Sequence, residues 1–123
     1  MRYLVLLEGT NPATPPPPAL MQGIGALGAE ATQAGVMVDT AGLSPSAYGA
    51  AVTVTGGDLS ITDGPFAEAR EMISYAVYDV RSKEEAVEWT ARFMRLHVET
   101  WPGWEGSAKV RKVMGPEDFG PPA

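Results

Sequence analysis

The chain has 123 residues, 45% hydrophobic and 20% charged, which fits a single globular domain over residues 1–123 with a core of ordinary size. It has no cysteine, which excludes a disulfide framework, a thiolate metal site and a cysteine nucleophile. A formal charge of −6 argues against direct nucleic-acid binding. The apolar run Tyr3–Leu7, broken by Glu8, is too short for a signal peptide or a membrane span, so a cytoplasmic location is expected.

Residues 2–8 place Tyr3, Val5 and Leu7 on one side, and Leu4 and Leu6 make the other side apolar too. A central strand covered on both faces is predicted. Asn11–Pro18 holds five prolines and reads as a stiff, extended connector or a proline-recognition segment. From Ala19 to Ala34, Leu20, Ile24, Leu27 and Ala31 recur at the helical period. Gly23, Gly25 and Gly28 each weaken that helix by roughly 1 kcal/mol against alanine. Close approach to a sheet or a partner would compensate. Gly35 is the expected stop.

Val36–Val38 predicts a short strand leading into the turn Gly42-Leu43-Ser44-Pro45. Val52–Thr55 and Asp58–Thr62, joined by Gly56-Gly57, read as a two-residue hairpin. Its register sets Val54 opposite Leu59 and Val52 opposite Ile61, with all four on one face. Asp63-Gly64-Pro65-Phe66-Ala67-Glu68-Ala69-Arg70 follows. Gly64 admits a positive φ and Pro65 suits a first helical turn, so a sharp corner into a short helical segment with Glu68, Arg70 and Glu71 is expected.

Ile73–Val80 is rich in β-branched and aromatic residues and predicts a strand. Ser82 caps a helix over residues 84–98, with Glu85 completing a capping box and Glu88 placed to pair with Arg92 at i, i+4. Ser107–Met114 predicts the last strand, in which Lys109, Arg111 and Lys112 read as a solvated edge. Gly115–Ala123 reads as a loose tail. Strands flanked by two helices describe an α+β sandwich.

Asp63, Glu68 and Glu71 form the one carboxylate cluster, with two readings. In one, Asp63 accepts backbone N–H groups and caps the corner. In the other, the acids and Arg70 form a ligand site, Arg70 clamping an anionic group. No metal-ligand spacing accompanies them, so no metal is assigned. Tyr75 and Tyr78 lie on opposite faces of their strand, so at most one looks into a cleft. His97, the only histidine, falls in the apolar sector of its helix, as a buried structural residue or a general base. On the catalytic reading Asp63, Tyr75 and His97 carry chemistry, and Glu68, Arg70 and Glu71 bind the ligand. Trp101 and Trp104, around a Pro-Gly turn, fold back on the core or serve a partner. No phosphate loop, nucleophile elbow or dinucleotide fingerprint occurs, and no cofactor is expected.

The stretch from Asp63 to Glu71, DGPFAE-x-[KR]-E, resembles the signature of the DGPF branch of the YCII-related family. Met1–Leu7 resembles that family's first strand and Gly42-Leu43-Ser44-Pro45 its GLxP turn. Tyr78-Asp79-Val80 with Glu84–Trp89 resembles its strand-to-helix passage, and Gly106–Arg111 its last strand. The resemblance implies a ferredoxin-like fold paired into a homodimeric α/β barrel. It also implies either a small-molecule or enzyme-like site near the DGPF corner, or an accessory role beside an extracytoplasmic-function sigma factor. More distant relatives carry a His–Asp pair with the histidine near the first helix. This chain has no histidine there, so that pair is not carried over, and Asp39 is expected to be an ordinary loop acid. Where the family has paired glycines before an aromatic, Met72-Ile73-Ser74-Tyr75 is expected to fill the space.

Overall fold

The computed structural model describes residues 1–10, 14–67 and 70–120. Its elements are β1 (Arg2–Gly9), α1 (Pro18–Gln33), β2 (Met37–Gly42), β3 (Ala50–Thr55), β4 (Asp58–Asp63), β5 (Glu71–Asp79), α2 (Lys83–Thr100) and β6 (Gly106–Lys112), with short 3-10 turns at Ser46–Tyr48 and Pro116–Phe119. Four strands form one antiparallel sheet in the order β2-β5-β1-β6. Each helix crosses over one intervening strand, and the arrangement is the ferredoxin-like α+β fold. No helix among the described residues is long and apolar enough to cross a membrane.

The period-2 pattern of β1 sets the layers. Tyr3, Val5 and Leu7 are buried, and their register partners on β5 are Tyr78, Ala76 and Ser74. Tyr3, Val5 and Tyr78 make the core between sheet and helices with Val36, Val80 and Ala86, and Ala76 packs against it. The opposite face carries Leu4, Leu6, Tyr75 and Val77, all half-buried. β1 is central, as expected, but its second face has no helix over it.

α2 forms as its cap predicts. Ser82 Oγ accepts from Glu85 N at 3.1 Å, while the Glu85 carboxylate accepts from Arg81 N at 3.0 Å, one residue before the expected Ser82 amide. The expected Glu88–Arg92 pair gives way to a tertiary one. Arg92 bridges to Glu30 on α1 and lies 4.8 Å over the Trp89 ring. Gly23 accounts for this close helix pairing, since a Cβ there would lie 3.0 Å from Leu96 Cδ2. The tail is less loose than expected. Lys112 Nζ donates to Asp118 Oδ1 at 2.8 Å, which raises the lysine pKa and lowers that of Asp118. Residues 121–123 lie outside the described part, as do 11–13 of the proline connector.

The hairpin has the predicted turn and register, with Val54 opposite Leu59 and Val52 opposite Ile61. It is a separate two-stranded sheet, though, and its apolar face is bare: these four residues are 62–71% exposed.

The corner after the hairpin departs from expectation. No helix follows Pro65 in the described residues, the Gly64–Pro65 peptide is cis, and β5 already starts at Glu71. Gly64 is not in the positive-φ region. Its missing side chain is what matters, because a Cβ would lie 2.6 Å from the Ser46 carbonyl carbon and closer still to the oxygen. Asp63 is exposed at the end of β4, and its carboxylate accepts no hydrogen bond among the described residues.

Ser46 organises the corner instead. Its hydroxyl donates to Glu71 Oε1 at 2.7 Å and accepts from Phe66 N at 3.2 Å, and its amide donates to the same Glu71 oxygen at 3.4 Å. Ser46→Ala is therefore expected to lower the unfolding free energy by about 1–3 kcal/mol, leaving Phe66 N and the Glu71 carboxylate short of a partner. Asp63→Ala should stay within about 0.5 kcal/mol of wild type. Urea denaturation of both variants checks the assignment, and the reverse ranking would return the cap to Asp63.

Candidate functional site

A cleft of about 780 Å³ separates α1 from the sheet, within the range of small-molecule pockets. Val5, Leu7 and Ala76 contribute its floor, and Leu20, Ile24 and Leu27 the α1 wall. Phe93, His97, Trp101 and Trp104 close the far side. The lining is predominantly apolar, with Thr40, Ser74, Tyr78, His97 and Glu71 among its few polar side chains. Ile73, Ser74 and Tyr75 are among the residues that line the cleft.

Two features of the sequence hold the cleft open. Gly25 and Gly28 face it from α1, and a Cβ at either would meet nothing within 4 Å. The close-approach reading thus holds for Gly23 alone. The aromatic wall is seated by a second pair, Gly9 and Gly106, opposite each other on β1 and β6. A Cβ on Gly9 would lie 2.7 Å from Trp104 Cζ2, and one on Gly106 2.6 Å from the same atom. The indole of Trp104 therefore occupies the space that two side chains would otherwise fill. The His97 ring sits tilted against it at 4.5 Å between ring centroids, Trp101 stacks on it at 6.0 Å, and Phe93 meets His97 edge-on at 4.9 Å. The Trp-Pro-Gly-Trp loop thus folds back and becomes a wall of the cleft.

His97 is 4% exposed and its Nδ1 lies 3.1 Å from the Phe93 carbonyl oxygen. A carbonyl only accepts, so Nδ1 carries the proton and Nε2 keeps its lone pair. Burial lowers the pKa of the ring, with the Phe93 bond opposing this in part, so the imidazole is neutral at pH 7. No buried side-chain nitrogen or oxygen among the described residues is both sealed off and without a partner. Nε2 has no partner among the described residues, and His97 is one of the residues that line the cleft. Tyr78, on the buried face of β5, has its pKa raised by burial.

The structure brings together only part of the predicted set. His97 and Glu71 border the cleft, Tyr75 meets its edge with its side chain on the opposite face of β5, Asp63 and Arg70 do not line it, and Glu68 lies outside the described residues. Glu71 links the cleft rim to the DGPF corner through Ser46. The Tyr75 hydroxyl donates to Asp39 Oδ2 at 2.9 Å, and that bond is the main cause of its raised pKa. Asp39 is therefore a strand residue of β2 with a defined partner, not a loop acid. Sequence reasoning missed Ser46 and passed over Tyr78. The GLSP turn beside Ser46 and the strand alternation through Tyr78 were the available signals. Among the described residues no group of three or more His, Asp or Glu side chains converges as a metal site.

A search of curated proteins finds no match to the chain. The model of the YCII-related domain matches residues 1–94, which cover the cleft floor, α1, the hairpin, the DGPF corner and most of α2. With that match and its ferredoxin-like fold, the chain belongs to the YCII-related domain family.

Proposed function

We propose that this protein binds a small molecule in the cleft between α1 and the sheet. The observation that carries the reading is the pair Gly25 and Gly28. Each weakens α1 by roughly 1 kcal/mol against alanine, and neither is required by a neighbouring atom. Residues kept at a cost to their own helix, on the wall of an open apolar cavity, fit a cavity that is used. His97 supplies a neutral acceptor that can orient a ligand or take a proton from it. The protein is further read as a homodimer of the DGPF branch, supported by the half-buried apolar side chains on the sheet face that no helix covers. An accessory role beside a sigma factor is a second reading. The exposed apolar face of the hairpin supports it, since such a face suits a protein partner.

The cleft reading is tested with Nile red, a neutral solvatochromic dye. Wild type should bind it with a blue shift, and Gly28→Leu, which projects a side chain into open space, should weaken binding at least tenfold. The same change should raise thermal stability, because leucine is the better helix former. Equal dye binding by both proteins would remove the cleft as the site.

A further inference from the structure

Resting on the cleft reading, we propose that the ligand is an uncharged, largely apolar ring compound whose single hydroxyl or N–H donates to Nε2 of His97.

Charge excludes most alternatives. No lysine or arginine is among the described residues that line the cleft, so an anion would be desolvated there without a countercharge. The net charge of −6 opposes an anion from a distance as well. A cation would find a single carboxylate, Glu71, whose Oε1 already accepts from Ser46.

The ring follows from the wall. Trp101 stacks on Trp104, His97 tilts against the same indole, and the missing side chains of Gly9 and Gly106 make room for it. A planar ligand extends such a stack in offset or edge-on contact, the arrangements aromatic rings prefer. The donor follows from His97. Its Nδ1–H is committed to Phe93, so the ring nitrogen left without a partner among the described residues is an acceptor, which an ether or ketone cannot satisfy and a hydroxyl or N–H can.

The test is equilibrium dialysis at pH 7.5 with 2-naphthol, its methyl ether 2-methoxynaphthalene, 2-naphthoate and 2-naphthylmethylammonium. 2-Naphthol should bind about tenfold tighter than the ether, the effect of one good hydrogen bond, and both charged probes should bind more weakly than either. In His97→Phe, which keeps the ring stack but has no lone pair, naphthol and ether should bind equally. Equal affinity of naphthol and ether for wild type, or a charged probe binding as tightly as naphthol, overturns the proposal. The wild-type ratio decides alone if the variant does not fold. Nile red binding without a naphthol preference overturns only the ligand class, whereas loss of every probe, Nile red included, overturns the cleft reading itself.

Discussion

Gly64→Ala is expected to lower the free energy of unfolding by about 3 kcal/mol, the upper end of what forced overpacking costs. The added methyl would sit inside van der Waals contact of the Ser46 carbonyl, 2.6 Å from its carbon. That neighbour cannot swing aside as a flexible side chain would. The Ser46 carbonyl accepts from Gly49 N at 2.9 Å, and Gly64 N itself donates to the Gly49 carbonyl at 2.9 Å. Moving any one of the three disturbs the hydroxyl that holds Glu71 and Phe66 N. Gly56→Ala is the control: it places a methyl at a φ of 58° with nothing within 4 Å, so its cost is conformational, about 1 kcal/mol. Urea denaturation should rank Gly64→Ala well below Gly56→Ala. A smaller loss at Gly64 would mean that the Ser46 turn yields.

Gly64 also shows where sequence reading stops. Glycine is used for positive φ or for the absence of Cβ, and one letter does not distinguish the two. The hairpin register was readable because the Gly-Gly turn and the alternation of Val52, Val54, Leu59 and Ile61 specify the same pairing independently. What covers that face was not readable, since alternation defines a face and not its neighbour. The cap of α2 was legible because Ser82 and Glu85 are local. The partner of Arg92 was not, because Glu30 lies 62 residues away on another helix.

The candidate site was legible in part for the same reason. His97 was singled out by being the only histidine, and its position in an apolar sector gave its burial. Alternation separated Tyr75 from Tyr78 without saying which one faces the helices. The cleft itself is defined by what is missing, two side chains on α1 and two beneath Trp104. Missing atoms leave only scattered glycines in the sequence, and those of α1 read there as weak points of a helix. Ser46 reaches Phe66 and Glu71 across 20 and 25 residues, with no local pattern to announce it.

His97→Ala is expected to lower stability by roughly 3 kcal/mol at pH 7.5, through a cavity left beside Phe93 and Trp104. The histidine also sets a pH dependence whose sign follows from its environment. Burial holds the folded-state pKa below the ordinary 6.5, so between those two values the unfolded chain takes up a proton that the folded chain does not. The contribution of neutral His97 is complete above pH 6.5. It is lost progressively as the pH falls through that window and constant below the folded value. Asp118, whose pKa is lowered from 3.8 by Lys112, acts in a separate and more acidic window. Tyr78, on the cleft face of β5, is shifted upward, away from the window of His97, and so is Tyr75 on the opposite face. Urea denaturation between pH 8 and pH 5 should therefore show wild type weakening below pH 6.5 while His97→Phe shows no such component. The proton that destabilises the fold also occupies the Nε2 lone pair, so the preference for 2-naphthol over its ether should fade across the same window. A stability profile identical for wild type and His97→Phe would show that the imidazole is not held neutral by burial. The acceptor role argued for it in the cleft would then lose its electrostatic basis.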